Sequence, residues 1–204
     1  MLKIVIASGN NGKIKEFQTL LPCFEVLTFK ELLGNLDILE DGNTFKENAI
    51  IKAKTVNNLL KEKYPKEDFL VISDDSGISV KELNNEPNIF SARYAGINST
   101  DKQNNEKLIK NLKEKNIETS DAFYTACICV VYKEEIHTTH GWMHGSVSIQ
   151  EKGTNGFGYD PLFIPTNFDK TLGELEFKDK KELSHRTKAL DLSMLIVKKI
   201  IKNH

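Results

Sequence analysis

Two adjacent carboxylates, Asp74 and Asp75, follow an apolar stretch in the segment LVISDDSGISV, residues 70 to 80. Burying one carboxylate is costly, and two neighbouring carboxylates also repel each other. A divalent cation would remove the repulsion, because hard cations bind carboxylate oxygens. The pair therefore indicates a metal site, and the alternative is an Asp-Ser-Gly turn whose carboxylates are solvated. The apolar run predicts a strand from Phe69 to Ser73. On a strand only one of the two aspartates could point into a given cleft, whereas both would lie in the turn and diverge if the strand ends at Ser73.

A second polar segment, SGNNGK, lies between a predicted buried strand at residues 2 to 8 and a predicted helix with Ile14, Phe17 and Leu21 on one face. Backbone N–H groups and a helix N-terminus at such a place can bind a phosphate group. The segment is not a Walker A loop, because its glycines are three residues apart and Ile14 follows Lys13 where Ser or Thr would be needed. Two interpretations stay open, a phosphate-binding loop and a tight turn rich in residues that tolerate positive φ.

A third segment, LEDGNTFKENA, places Glu40 and Asp41 before a glycine turn. Thr44 and Glu47 have the spacing of a capping box, which predicts a helix beginning at Phe45 and ending near Tyr64, before a proline. Glu47 therefore has a structural role available as the capping partner. Lys52 lies at the edge of the apolar stripe of this helix, where a lysine that extends its charge to water is the plain interpretation.

The fourth pair of segments is NGFGYDP, residues 155 to 161, and KKELSHR, residues 180 to 186. Phe157 and Tyr159 among glycines are typical of a stacking surface for a flat ligand, and the alternative is a loop anchored in the core by its aromatic rings. His185 and Arg186 are predicted at the start of the final helix, where cations are unfavourable beside the positive end of the dipole. A local rule broken in this way indicates function, although a salt bridge near Asp179 would also explain it.

The remaining segments predict a charged surface helix at residues 101 to 115 and a hairpin of strands 122–132 and 135–149 that turns at Lys133 and Glu134. A final helix is predicted over roughly residues 184 to 201. We find no internal repeat, low-complexity tract or linker. The chain is therefore predicted to be one α/β domain over residues 1–204, with the hairpin region as a candidate second lobe.

Composition excludes several classes of protein. The 204 residues are 39% hydrophobic and 28% charged, which is typical of a globular protein, and the net charge of -1 argues against a nucleic-acid binder. No apolar run reaches the ~18 residues of a membrane span, and no signal peptide is recognised. The three cysteines, Cys23, Cys127 and Cys129, are expected to be thiols, and a cytoplasmic location is the default. His137 and His140 would face opposite sides of a strand, so a zinc site is not favoured.

Taken together, these segments resemble the inosine/xanthosine triphosphate pyrophosphatase family. The resemblance covers nearly the whole chain in order, through IASGNNGKIKEF, EDGNTFKENAIIKA, ISDDSGISV, FSARYAG, GTNGFGYDPLF and LSHRTKAL. It implies hydrolysis of ITP, dITP and XTP to the monophosphate and pyrophosphate. It also implies a magnesium-dependent, cytoplasmic, homodimeric enzyme without nucleic-acid or membrane partners. The implied fold is an elongated mixed β-sheet with flanking helices and two lobes around a central nucleotide cleft.

The resemblance also assigns roles to individual residues. Asp75 would be the proton acceptor and a magnesium-linked carboxylate, and Glu40 would be the second metal residue. Lys52 is also expected to contact the substrate. The other residues implied to bind substrate are Ser8, Gly9, Asn10, Asn11, Gly12, Lys13, Ser76, Phe157, Gly158, Tyr159, Asp160, Lys180, His185 and Arg186.

Two further functions remain in competition. One is a related pyrophosphatase acting on other modified or pyrimidine triphosphates. The other is a nucleotide-binding regulatory module without turnover. The adjacent carboxylates argue against the second, because a triphosphate binder gains nothing from two extra negative charges.

Overall fold

The structure is a computed structural model that describes residues 2–22 and 24–202. Cys23, one of the predicted thiols, lies outside the described residues. In the described part of the chain, six strands form one sheet in the order β2-β1-β3-β4-β5-β6. The strands are β1 (Lys3–Ile6), β2 (Val26–Thr28), β3 (Phe69–Val80), β4 (Thr119–Tyr132), β5 (Glu135–Ser148) and β6 (Phe163–Pro165).

The sheet is mixed, as predicted. β1 is parallel to both β2 and β3, with Ile4 opposite Val26 and Leu70, whereas β5 is antiparallel to β6. β4 and β5 form the predicted hairpin, which turns at Lys133 and Glu134, and Lys133 has a φ of 55°. These findings confirm the α/β fold class.

The helices are α1 (Asn11–Leu20), α2 (Phe29–Leu33), α3 (Phe45–Lys63), α4 (Asp101–Glu114), α5 (Phe177–Leu183) and α6 (His185–Lys202). Short 3₁₀ helices span Lys81–Leu83 and Asn88–Arg93. The predicted start of α3 at Phe45 is confirmed, and the Thr44 hydroxyl accepts from the N–H of Glu47. The Glu47 carboxylate accepts from the N–H of Asn43 at 2.7 Å, one residue before the cap. It therefore ties the preceding turn to the helix.

The predicted end of β3 at Ser73 is wrong, because the strand continues through both aspartates to Val80. Ser73, Asp74 and Asp75 are all buried. A buried carboxylate in a strand requires a charged partner. The partners of Asp74 and Asp75 are lysines of two helices that are distant in sequence, Lys13 of α1 and Lys52 of α3. The short-range pattern of apolar followed by acidic residues could not reveal them.

The described residues form two compact units. Unit 1 comprises Met1–Asp75, Cys127–His140 and Ala189–His204, and unit 2 comprises Ser76–Ala126 and Gly141–Lys188. The chain passes from one unit to the other within β3, β4, β5 and α6. No helix among the described residues is long and apolar enough to cross a membrane.

Unit 1 buries the strand residues Ile4, Ile6, Leu70 and Ile72 together with one face of each of two helices. Phe17 and Leu21 supply the apolar face at α1, and its predicted stripe is confirmed at these two positions. α3 buries a longer stripe, which consists of Phe45, Ala49, Ala53, Val56 and Leu60. The spacing of three and four residues is that of an amphipathic helix packed on a sheet.

Unit 2 has a separate apolar core. α4 contributes Leu108 and Leu112, which have no or almost no solvent exposure, and β3 contributes Ile78 and Val80. The other buried side chains of this cluster are Leu83, Tyr94, Ala122, Tyr124, Met143, Val147, Tyr159, Leu162, Phe163, Leu172 and Leu175. The helix predicted at residues 101 to 115 as a charged surface element therefore also carries a buried stripe.

We expect Leu108→Ala to lower the free energy of unfolding by ~2–5 kcal/mol, because it removes buried methyl groups and leaves a cavity. Urea denaturation measures the effect. Lys113→Ala, at an exposed position of the same helix, should change stability by less than ~0.5 kcal/mol. Equal effects of the two substitutions would contradict the assignment of α4 to the core of unit 2.

Candidate active site

The two aspartates of β3 are each paired with a lysine of a different helix. Consecutive strand residues point to opposite faces of a sheet. Asp74 Oδ2 lies 2.5 Å from Lys13 Nζ of α1, whereas Asp75 Oδ1 lies 3.3 Å from Lys52 Nζ of α3. Ser73 is on the same face as Asp75, and its hydroxyl donates to the carbonyl of Ala49 in α3 at 2.6 Å. The period of the strand thus separates the two charges.

The segment from Ser8 to Lys13 forms the N-terminus of α1. Asn10 is the N-cap, and its Oδ1 accepts from the N–H of Lys13 at 3.1 Å. The Ser8 hydroxyl accepts from the N–H of Asn10 at 3.2 Å, which holds the turn that Gly9 begins. In the described part of the chain, no hydrogen bond engages the N–H groups of Asn11 and Gly12. These two donors, at the positive end of α1, are free to bind an anion.

The Lys13 side chain is mostly buried, although it follows the loop at the start of α1. It keeps only 14% of its exposure and points its ammonium group at Asp74. The ion pair therefore fixes the position of the lysine side chain.

The segment that carries Glu40 is attached to α3 through Asn48. Asn48 Oδ1 accepts from the N–H of Gly42 at 2.9 Å, and Asn48 is fully buried. A Cβ on Gly42 would lie 2.7 Å from that same Oδ1, so only glycine allows this approach. One turn further along α3, Lys52 Nζ lies 2.9 Å from Glu40 Oε2. Lys52 therefore bridges Glu40 and Asp75, rather than extending to solvent as its position on the helix suggested.

The environment of Asp75 changes its acidity. Burial raises the pKa of Asp75, and the nearby carboxylates of Glu40 and Asp74 raise it further, against the opposing effect of Lys52 and Lys13. For Lys52, burial alone would lower the pKa, but the three carboxylates outweigh it and raise the pKa. Asp75 Oδ2 is buried and has no hydrogen-bond partner among the described residues. Asp75 is therefore a carboxylate with one oxygen held and one oxygen available.

The two buried cysteines of β4 are free thiols, as predicted. Burial raises the pKa of Cys127 to about 12, and the negative charges of Asp74 and Asp75 contribute to the shift. The thiol is therefore neutral beside these carboxylates, and it is not a nucleophile at neutral pH.

In unit 2, the glycine-rich loop is closed by an ion pair. Lys180 Nζ lies 3.0 Å from Asp160 Oδ2 and donates to the carbonyl of Asn155 at 3.0 Å. The same Asp160 oxygen accepts from the N–H of Phe157 at 3.3 Å. Gly156 has a φ of +94°, and a Cβ there would lie 1.9 Å from Asp160 Oδ2. The ion pair therefore occupies the space that a side chain at position 156 would need.

The two aromatic residues of this loop have different surroundings. Phe157 keeps 40% of its exposure, as a stacking surface requires. Tyr159 is buried, and its hydroxyl donates to the carbonyl of Ser91 at 2.8 Å. Both interpretations of the loop therefore apply, one to each residue: Phe157 faces outward, and Tyr159 anchors the loop in the core.

His185 and Arg186 are buried at the start of α6, within unit 2. Arg186 donates to the Ser76 hydroxyl at 2.9 Å, and its guanidinium carbon lies 5.8 Å from the centre of the Phe157 ring. The His185 ring stacks on Tyr124 with a centroid distance of 4.8 Å and an interplanar angle of 13°. Burial raises the pKa of Tyr124 well above its usual value, so the stacking partner is a neutral phenol.

The structure thus brings the predicted residues together in two clusters. Unit 1 holds two sets of contacts, Lys13 with Asp74 and Lys52 with Glu40 and Asp75. Unit 2 holds the predicted substrate-binding residues of the glycine-rich loop together with Ser76, Lys180, His185 and Arg186. The exposed Asp41 makes no contact to Lys52 or Asp75 in the described part of the chain. Sequence reasoning missed Asn48 and Tyr124. Asn48, at i−4 from Lys52, had a detectable signal, because both side chains must share one helix face.

Comparison with known proteins identifies the family of this chain. The model of the Ham1 family matches residues 4–194. A dITP/XTP pyrophosphatase of Aliarcobacter butzleri is 57% identical over 200 residues, with 98% of this chain and 100% of that protein covered. A dITP/XTP pyrophosphatase of Sulfurovum sp. (strain NBC37-1) is 52% identical, with 99% and 96% covered.

A solved structure shows the same fold. The Ham1 protein of Staphylococcus aureus is 37% identical and superposes with a TM-score of 0.83, with 97% of this chain and 98% of that chain covered. The family match and the full-length relatives confirm the resemblance drawn from the six ordered segments. The chain belongs to the Ham1 family.

Proposed function

We propose that this protein hydrolyses the deaminated purine nucleoside triphosphates ITP, dITP and XTP to the monophosphate and pyrophosphate. The observation that carries the proposal is the buried Asp75, held by Lys52 beside the Lys13–Asp74 pair. Relatives that align over nearly their full length bear the name dITP/XTP pyrophosphatase, which supports the same substrate class.

Asp75 is the proton acceptor in this proposal. A general base works best when its pKa is shifted toward the working pH, and burial shifts the pKa of Asp75 in that direction. The Asp75 carboxylate can accept the proton of a water molecule, while its Oδ1 atom stays in contact with Lys52. The water oxygen bonds to phosphorus, the anhydride bond between the α and β phosphates breaks, and the monophosphate and pyrophosphate leave.

The triphosphate is bound by the N-terminus of α1. The N–H groups of Asn11 and Gly12 and the ammonium group of Lys13 are donors that phosphate oxygens accept. Asp74 holds Lys13 in position, so the substrate does not have to order this side chain. The ammonium group of Lys13 can then donate hydrogen bonds to the phosphate oxygens and to Asp74 at the same time.

The carboxylates of unit 1 fit a magnesium ion. Glu40, Asp74 and Asp75 carry three negative charges when ionised, against two positive charges on Lys13 and Lys52. Asp75 Oδ2 is a buried oxygen with no partner among the described residues, and oxygen ligands are those that Mg²⁺ prefers. Glu40 and Asp75 would hold the ion. When bound, it would neutralise charge on the phosphates.

No group of three or more His, Cys, Asp or Glu residues in the described ranges is arranged to hold a metal. A magnesium ion with few protein ligands agrees with this finding, because Mg²⁺ commonly completes its coordination with water and substrate phosphates.

The purine base is recognised by unit 2. Arg186 offers only hydrogen-bond donors, and His185 can donate from a ring nitrogen, so both suit the 6-oxo group of hypoxanthine and xanthine. Adenine has a donor at that position, and a polar site can reject such a mismatch by up to ~10⁴-fold. Phe157 contributes stacking, which does not distinguish between purines.

The protein is further proposed to act as a cytoplasmic homodimer, as the family resemblance implies.

The substrate assignment is tested by pyrophosphate release from ITP, dITP and XTP compared with ATP and GTP, with and without Mg²⁺. We expect kcat/KM for ITP to exceed that for ATP by ~10²-fold or more and that for GTP by a smaller factor, because guanine shares the 6-oxo group. Release of inorganic phosphate only, or binding without turnover, would contradict the proposal. A preference for a pyrimidine triphosphate would instead support the related enzyme.

Asp75→Asn should lower kcat by ~10²-fold or more, because it removes the proton acceptor while keeping the size of the side chain. Binding of ITP, measured by calorimetry, should persist, since the donors of α1 are unchanged. Asp37→Asn, at an exposed acidic residue of the same unit, serves as the control and should keep wild-type turnover. A near wild-type rate for Asp75→Asn would exclude Asp75 as the base.

Lys52→Met should lower the free energy of unfolding by ~3–5 kcal/mol at pH 7 without Mg²⁺, because it leaves buried carboxylates without a cation. The pKa of Asp75 is raised in the folded protein, so the folded state holds this proton more tightly than the unfolded chain does. Without Lys52 this pKa should rise further. The loss should therefore shrink as the pH falls from 7 toward the usual carboxylate range.

Urea denaturation at pH 7 and pH 5 measures this dependence. Lys54→Met, at an exposed position of the same helix, should change stability by less than ~0.5 kcal/mol at both pH values. A loss for Lys52→Met that is the same at both pH values would show that the lysine does not compensate these carboxylates.

A further inference from the structure

Both backbone groups of Gly158 are held by side chains of α4. Asp101 Oδ2 accepts from the N–H of Gly158 at 2.7 Å, and Asn105 Nδ2 donates to the carbonyl oxygen of Gly158 at 3.2 Å. Asp101 and Asn105 are four residues apart, so they lie on one face of the helix. All three residues belong to unit 2. A single residue of the loop is thus fixed from both sides by one helix.

Gly158 is the residue next to Phe157, and its φ of +63° is in the left-handed region that favours glycine. The peptide that joins Phe157 to Gly158 carries the N–H that Asp101 accepts. This hydrogen bond therefore fixes the orientation of the peptide plane that follows Phe157. On its other side, the N–H of Phe157 is bound to Asp160. The orientation of the exposed Phe157 ring therefore depends on both anchors.

Asn105 has a feature that packing alone does not explain. It is only 3% exposed, and its Oδ1 atom has no hydrogen-bond partner among the described residues. An unpaired buried acceptor destabilises the fold, and an apolar side chain would avoid that loss. The favourable contact that Asn105 does make is the one to Gly158. Asp101 contributes a charged acceptor, and hydrogen bonds to charged groups are the stronger ones.

We propose that Asp101 and Asn105 are positioning residues for base recognition, which hold Gly158 so that the Phe157 ring is presented as a fixed stacking surface for the purine. The inference rests on the proposed function, in which Phe157 stacks on the base beside Arg186. Neither residue acts on the phosphates, whose binding groups lie in unit 1. Loss of the two contacts should therefore weaken interactions with the base and leave the chemical step unchanged.

The test compares two inhibitors, inosine monophosphate and inorganic pyrophosphate, with Asp101→Ala and Asn105→Ala. The inhibition constant of inosine monophosphate and the KM for ITP should each rise roughly tenfold, which is within the range measured for base–aromatic stacking. The inhibition constant of pyrophosphate and kcat should stay within about twofold of wild type. Asp101→Asn keeps an oxygen acceptor for the Gly158 N–H and should recover most of the loss.

Lys102→Ala and Glu106→Ala are the matched controls, because these exposed neighbours on α4 pair only with each other at 3.9 Å in the described structure. They should leave both inhibition constants unchanged. Asp101 is itself exposed, so Asp101→Ala keeps the test valid if Asn105→Ala does not fold.

A double-mutant cycle with Phe157→Ala separates positioning from general destabilisation. If Asp101 and Asn105 act through Phe157, their substitutions should have no further effect on inosine monophosphate binding once that ring is absent. Full additivity would overturn the inference. If Phe157→Ala weakens this inhibitor and the α4 substitutions do not, the inference fails and the proposed function stands. If Phe157→Ala has no effect, the base-binding part of the proposed function fails.

Discussion

The burial of two consecutive carboxylates in β3 is the constraint on which unit 1 depends. Neither Asp74 nor Asp75 can remain charged in the interior without a cation, and a strand directs the two side chains to opposite faces. Each face is covered by a different helix, so each helix has to supply a lysine of the right length at the right turn. Lys13 and Lys52 meet this requirement. The fold of unit 1 and the chemistry of its site are therefore set by the same contacts.

The same constraint accounts for parts of unit 1 that would otherwise look incidental. The segment bearing Glu40 must approach Lys52, and it does so because Gly42 has no side chain and Asn48 accepts its N–H. The surplus of negative charge over the two lysines destabilises the fold, and the cation that we propose would offset it. Function is thus obtained at some expense of stability, which is common at active sites.

In unit 2, the main structural requirement is that the glycine-rich loop keeps one conformation. Gly156 and Gly158 adopt positive φ values, and such residues are flexible in an unrestrained chain. The Lys180–Asp160 ion pair, the Tyr159 hydroxyl and α4 together restrain the loop. Phe157 is left as the aromatic residue of this loop that remains exposed. A ring that is ordered before the ligand arrives loses less entropy on binding.

Local patterns in the sequence were sufficient to determine several of the helices and strands that frame the site, although not the end of β3. The cap before Phe45, the hairpin turn at Lys133 and the apolar stripe of α1 each depend on neighbours within a few residues, so short-range physics decides them. The ordered segments also determined the family, because six separate patterns are improbable by chance in that order. The residue types of the site were determined as well: carboxylates, lysines, glycine turns and an aromatic ring.

Only the tertiary structure decided which of these groups meet. That β3 continues through Asp74 and Asp75 depends on lysines 61 and 23 residues away in the chain, which no local pattern reveals. Phe157 is exposed and Tyr159 is buried. This difference depends on the carbonyl of Ser91, which is distant in sequence and accepts the hydrogen bond of the Tyr159 hydroxyl. The roles of Asn48, Tyr124, Asp101 and Asn105 likewise arise from contacts between separate elements. The sequence determines the functional group that each side chain carries. The partner of that group, its burial and therefore its pKa are determined by tertiary packing.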